Sequence, residues 1–217
     1  VALLELGEIR TLDVELLEQR DADLSFGGSN HAHVIDWFYC LRSILDGDTD
    51  SAEKQALGIY NQATVNDTDA LALYTAQTGM IRWMRGELEG FEDSLLAARR
   101  EYPEQYLWAA SLAWLWLLQG RKSASESVMR SLPAIDEIPH DNYWLSTMTV
   151  LAEIASRHES REFAEKIRET LLPFADHLVP VGSGVGFWGT VARSLGLVEE
   201  RLGLFKEARE HLELAIE

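Results

Sequence analysis

His31 and His33, with Asp36 close behind, are the first residues whose types could hold a metal ion. In a helix, positions i and i+2 point about 200° apart, so the two imidazoles do not converge on one ion. A structural or solvent-facing role is expected for both. Cys40 is the only cysteine and lies in the apolar run Trp37-Phe38-Tyr39-Cys40-Leu41, with no adjacent base. It reads as a packing thiol, because a nucleophilic cysteine needs an electropositive, partly open setting. A single cysteine also excludes an intrachain disulfide and a thiolate metal cluster, which fits a reducing cytoplasm. The stretch VGSGVGFWG, 181–189, places Gly182, Gly184 and Gly186 before a predicted helix. Backbone N–H groups of such a loop can cradle an anion. No Lys follows it, as a P-loop requires, and no strand is predicted before it, as a dinucleotide-binding turn requires. The stretch therefore reads as a flexible connection between helical pairs. His140 beside Asp141 reads as a loop and a helix cap. H-E-x-x-H, G-x-S-x-G and kinase signatures are absent from the sequence. The carboxylates read as solvated charges on polar helix faces, as around Arg161, Glu165 and Arg168-Glu169. The expectation is a chain that is not an enzyme, with no catalytic, cofactor-binding or metal-binding residue.

Seven tryptophans invite a different chemistry, an aromatic cage for a ligand. Trp108, Trp114 and Trp116 share one predicted helix with Leu112, Leu115, Leu117 and Leu118. Trp37, Trp83, Trp144 and Trp188 fall in other predicted first helices. Packing between neighbouring helices accounts for large rings at such positions, with one or two left to line a binding surface.

The formal net charge is -17 over 217 residues, and residues 1–70 carry 14 acidic against 4 basic side chains. Phosphate must be met by Lys and Arg, so direct nucleic-acid binding is disfavoured, and anionic membranes are disfavoured for the same reason. An acidic face suits a basic partner. No run approaches the roughly 18 apolar residues of a membrane span, and no secretory signal is visible. Cytoplasmic location is expected. The lack of an initiator Met and the end within the amphipathic run Ala215-Ile216-Glu217 suggest a segment of a longer protein.

These residues must be positioned by helices. Apolar residues return every three or four positions in long runs, and period-two alternation is rare. The runs pair around a Gly or a short polar turn. The predicted pairs are 30–46 with 50–64, 67–85 with 87–101, 104–119 with 122–132, 141–157 with 159–175, and 186–202 with 204–217. Asp50 with Glu53, Asp67 or Asp69, and Ser123 with Glu126 are the predicted caps; Pro133 and Pro139 stop helical continuation. The turn positions 47, 86, 120, 158 and 203 are 39, 34, 38 and 45 residues apart. Repeats of this period imply stacked helical hairpins, each covering its neighbour's apolar stripe. The fold expected is all-α: an α-α superhelix of about five hairpins over 29–217, preceded by a partial helix or linker over 1–28. FGGSN is expected to form a loop leading to a cap at Ser29 or Asn30.

The spacing within the pairs resembles the tetratricopeptide repeat, most fully in the fifth. There Leu195-Gly196 is followed by Gly203, Ala208, Leu212 and Ala215. Small residues at 196 and 208 let two helices approach, and Leu195 and Leu212 fill the groove between them. The second pair keeps Gly79, Gly86, Leu95 and Ala98, with Phe91 where Ala is expected. The third keeps Trp116, Gly120, Met129 and Leu132, with Ser125 in the small position. Residues 171–217, about a fifth of the chain, further resemble a recurring segment of large bacterial signalling proteins. The matching features are the Gly-rich loop 182–186, Trp188-Gly189, Val191-Ala192-Arg193, Leu195-Gly196-Leu197, Leu202-Gly203, Glu207-Ala208 and His211. In those proteins a cyclase or DNA-binding output domain, including LuxR-family transcriptional regulators, precedes a STAND-type ATPase and a tetratricopeptide-like array. The resemblance implies a regulatory module that docks a protein, peptide or small effector and controls neighbouring domains. It carries no catalytic or nucleotide-binding residue into this segment. A stand-alone scaffold or homo-oligomerisation module is the alternative.

Overall fold

The computed structural model describes residues 2–25, 32–62, 70–158, 160–184 and 186–216. Among them are twelve α-helices: α1 (Ala2–Glu5), α2 (Ile9–Ser25), α3 (Ala32–Leu45), α4 (Thr49–Gln62), α5 (Ala70–Arg85), α6 (Phe91–Glu101), α7 (Tyr106–Leu118), α8 (Lys122–Met129), α9 (Trp144–Ala155), α10 (Arg161–Leu171), α11 (Val191–Leu202) and α12 (Phe205–Leu214). Short 3-10 turns at Ile135–Glu137 and Leu172–Phe174 flank α9 and α10. One two-stranded sheet joins β1 (Leu178–Val181) to β2 (Gly186–Thr190). The protein is mostly helical, as the periodicity predicts.

The predicted turn glycines end their helices in one way. At Gly203 the backbone is left-handed, φ 80°, which a residue without Cβ adopts at no steric cost. The Gly203 N–H donates to the Glu200 carbonyl and the Leu204 N–H to the Glu199 carbonyl, satisfying two carbonyls that the helix end leaves open. The same pair of bonds closes α3 at Gly47, α5 at Gly86 and α7 at Gly120, and also α1 at Gly7. The fourth pair has His158 at the turn, and there the His158 ring Nδ1 accepts from the Ser160 N–H at 3.1 Å. Ser160 caps α10 by accepting from the Phe163 N–H.

Two predicted caps are displaced. Asp48, not Asp50, opens α4, accepting from the Ser51 N–H at 3.1 Å. Hydrogen bonds from the Ser51 hydroxyl and backbone hold the Asp48 carboxyl below its usual range. Asp50 and Glu53 instead grip Arg85 of α5, each at 2.7 Å. Helix α8 starts at Lys122 after Arg121 with no side-chain cap, so Ser123 lies inside it. Asp67, Asp69, Ser29 and Asn30, and the loop FGGSN, lie outside the described residues.

The chain forms two compact units, Val1–Glu89 with Pro180–Phe187, and Gly90–Val179 with Trp188–Glu217. In the first, α3 packs on α2, α4 and α5, and α4 on α5. Residues 2–25, within the predicted partial helix or linker, carry α1 and α2. Leu4, Leu12 and Leu16 of α1 and α2 form one buried cluster with Leu41 of α3. Small residues Ala52 and Ala56 of α4 are fully buried, and the Cys40 thiol reaches the Ala52 carbonyl. In the second unit α7 touches α6, α8 and α9; α9 touches α10 and α11; α11 touches α10 and α12. The second helices are amphipathic: α6 buries Phe91, Leu95 and Ala98, and α10 buries Ala164, Ile167 and Leu171, at helical spacing. The first helices differ. α9 is buried at every position but Leu145. Its Ser146, Thr147 and Thr149 hydroxyls are satisfied by donating to carbonyls three or four residues back.

Two expectations need correction. The Gly-rich stretch is not a flexible connection but a β-hairpin, and a strand does precede it. The predicted helix 186–202 begins only at Val191, so Trp188 lies in a strand. The run LVPV is too short for periodicity to separate strand from helix, and a four-residue connection leaves β2 only the antiparallel return. Thr190 then caps α11, accepting from the Arg193 N–H. A Cβ at Gly186 would sit 3.0 Å from Val181 Cβ, so the two strands approach at a glycine.

At the last pair, a Cβ on Gly196 would lie 2.5 Å from Leu212 Cγ and 3.2 Å from the Ala208 carbonyl oxygen. The carbonyl belongs to a helix backbone and cannot yield. Gly196→Leu and Ala208→Leu are each expected to cost about 1–3 kcal/mol by overpacking, seen as melting lowered by a few degrees. Unchanged melting for both would contradict the close contact of α11 with α12.

Candidate functional site

The residues singled out for metal chemistry do not assemble. His31 lies outside the described residues, as does the side chain of His33, although its backbone belongs to α3. Among the described residues no three His, Cys, Asp or Glu side chains are placed to share an ion. Cys40 is buried, and its thiol donates to the Ala52 carbonyl at 3.2 Å. Burial pushes the thiol up to about 12, only partly offset by a backbone hydrogen bond from Ala56. A thiol so held is a packing group.

The charged chemistry lies in two carboxylates that sequence reasoning missed. Glu153 of α9 and Glu199 of α11 are fully buried, 0% exposed. Glu153 accepts from Arg157, one turn on, at 2.9 Å, and from Arg193 of α11 at 2.5 Å. Glu199 accepts from Arg168 of α10 at 2.8 Å, and its other oxygen lies 2.6 Å from His211 Nδ1 of α12. Arg168, expected as a surface charge, is therefore a partner of a buried one. The two carboxylates tie α9, α10 and α12 to α11. Each shares its oxygens between two cationic or imidazole groups, which is how an ion in a low-dielectric interior is compensated. A signal was present: Glu153 interrupts the apolar run TVLAEIA, and Glu199 falls between Leu195 and Leu202 on the buried face of α11. The Arg161–Glu165 pair is exposed, as expected.

The aromatic rings of the second unit meet in several separate contacts. His140 stacks on Trp144 at 4.0 Å, and Phe174 meets Trp144 and His177 edge-on. Trp108 and Tyr143 lie 6.2 Å apart. This places His140 in a ring cluster as well as in a loop. Trp188 meets Trp114 of α7 edge-on at 5.5 Å. Trp116 carries the Arg121 guanidinium over its face at 4.7 Å. The hydrogen bond from Arg121 at 2.6 Å, with its charge, holds the Glu92 carboxyl below its usual range. A cleft of about 150 Å³ opens where α7, α8 and α9 meet. Leu117, Met129 and Ile154 give it an apolar lining, and Lys122, Glu126 and Arg157 a charged one of mixed sign. Such a cleft can seat a short apolar side chain or a small ligand.

In the first unit the hairpin tip supplies the most developed contact. Gly186 lies against Ala76 of α5, and Phe187 packs on the cluster of Leu4, Leu12, Leu16 and Leu41. No protein-family model matches the chain, and no curated protein matches it at a significant level.

Two outcomes follow from these groups. Arg193→Ala leaves an oxygen of the fully buried Glu153 carboxylate without its cation and is expected to cost about 3 kcal/mol. Arg130→Ala removes one member of an exposed pair with Glu126 and should cost about 0–1 kcal/mol. Equal small losses in urea titrations would contradict the role given to Glu153. For Cys40, the folded thiol keeps its proton up to about 12 while the unfolded thiol loses it near 9.0. The native state binds more protons across that window, so stability falls as pH rises from about 9 to about 12. In Cys40→Ala that component of the slope should vanish in pH-dependent melts.

Proposed function

We propose that the chain is a non-catalytic helical-repeat module, with its hairpins stacked in a tetratricopeptide-like superhelix. It binds a protein, peptide or small effector and regulates a larger cytoplasmic signal-transduction or transcriptional protein. The observation that carries the reading is the packing order. α7 and α9 each touch their own second helix and the next first helix, and α10 touches the first helix that follows it. Arrays of this kind are built from nearest-neighbour interfaces and present one continuous face of first helices. The recurring left-handed glycine turns and the small pair Gly196 and Ala208 against Leu212 support the repeat reading. The charge of -17 favours a partner with basic residues and disfavours nucleic acid. Among the described residues no helix is long and apolar enough to cross a membrane.

A second reading, a scaffold that self-associates, draws on α12. Phe205 and, just past the helix, Ile216 are 71% and 86% exposed, and Leu214 is also exposed. Apolar side chains so placed suit contact with another chain.

A peptide-display selection on the purified chain is expected to enrich one consensus, whose synthetic peptide raises the melting temperature with dose and loses affinity as salt rises. A selection that enriches nothing would sink the module reading. For self-association, sedimentation should show a concentration-dependent dimer abolished by Phe205→Glu with Ile216→Glu; a monomer at all concentrations would exclude it.

A further inference from the structure

The cleft between α7, α8 and the end of α9 lies within the second unit, and its lining divides by chemistry. Ile154, 1% exposed, and Ser125, 3% exposed, form the floor, with Leu117 and Met129 half-buried beside them. The Ser125 hydroxyl has no hydrogen-bond partner among the described residues, although a serine inside a helix commonly bonds a carbonyl one turn back. Lys122, Glu126 and Arg157 are exposed at the rim. Among the described residues Lys122 pairs with no carboxylate, and Glu126 meets Arg130 at 3.8 Å, beyond hydrogen-bond reach. Lys122 and Glu126 stand one helical turn apart with the cation first, the order in which such a pair gains least. Arg157 gives Nη1 to Glu153 and Ser156, and a guanidinium carries five N–H donors. The positive end of the α8 dipole also falls at Lys122, because no side chain caps that helix. An unpaired cation, a loosely held carboxylate and a free hydroxyl thus surround one apolar floor.

We propose that this cleft binds a free α-amino acid with an apolar side chain of the size of leucine. The ligand carboxylate meets Lys122 and Arg157 and accepts from the Ser125 hydroxyl, and its ammonium meets Glu126. Its side chain rests on Ile154 between Leu117 and Met129. Charges of both signs at the rim suit a zwitterion, since each ligand charge leaving water needs a counter-charge. The size agrees. The cleft measures about 150 Å³, below the roughly 300–1,000 Å³ of sites for drug-sized ligands, and a space of that volume takes an apolar group of about six heavy atoms. This deepens the module reading, on which its regulatory sense rests: the small effector is a zwitterion with an apolar tail.

Calorimetric titration of the full chain with L-leucine is expected to give a dissociation constant on the order of 0.1 mM, ordinary for a ligand of about nine heavy atoms. Glycine lacks the side chain, N-acetyl-L-leucine the ammonium and L-leucinamide the carboxylate, and each should bind about tenfold more weakly. Lys122→Met and Glu126→Gln change exposed residues, and each should weaken leucine about tenfold with the helical circular dichroism unchanged. The pairing of ends is read from the cross terms. Lys122→Met should not weaken leucinamide further, nor Glu126→Gln weaken N-acetyl-L-leucine further. No binding of leucine up to about 10 mM overturns the proposal. So does N-acetyl-L-leucine binding as tightly as leucine, or a leucine affinity unchanged in both variants. If either variant loses its helical signal, the ligand series on the unaltered chain decides. The two readings fail separately. Leucine binding with nothing enriched in the display selection sinks the peptide-binding module and leaves the amino-acid site. A selected peptide that raises the melting temperature, with no binding of leucine, leaves the module and sinks the site.

Discussion

A helix that is apolar all round has no stable place except between other helices, and the rest of this structure follows from two such helices. α7 reads YLWAASLAWLWLL and α9 reads WLSTMTVLAEIA; both bury nearly every side chain in their central turns. Neither can be covered by a single partner, because one helix shields only about a third of another's circumference. Each is instead enclosed by its own second helix and by helices of adjoining pairs. The amphipathic α6 and α8 cover α7, and α10 covers α9.

Burial on that scale carries polar groups inside with it, and the way they are compensated gives the second unit its specificity. Apolar stripes alone allow helices to slide by a turn at little cost. Glu153 and Glu199 do not, since each oxygen must find its Arg or His or remain a buried charge without a partner. The carboxylates thus act as registers between helices. Arg193 and His211, which meet them, thereby have a structural part.

The hairpin is the departure from an otherwise helical structure among the described residues. It turns the stretch with the most glycine in the chain into a strand that carries Phe187 into a leucine cluster and Trp188 against Trp114. Glycine serves there in two ways. Gly182 and Gly184 make the turn, and Gly186 lets two chain segments come closer than any side chain would permit.

Helix positions, pairing and turns were legible because they depend on local chemistry: apolar period, glycine at left-handed ends, and small residues where two neighbouring helices touch. Gly196 with Leu212 could be read from spacing alone, since the two lie on consecutive helices. The hairpin was not legible, because LVPV and GFWGT are too short to show a period and gain their stability from helices far away in sequence. Nor were the buried carboxylates, whose partners lie 31 and 40 residues distant, so a polar residue in an apolar run could not be told from a surface charge. The amino-acid order by itself determined which segments are helices and where they turn. Only the tertiary structure decided which charges go inside and where the hairpin packs, because both depend on contacts between segments that no local pattern encodes.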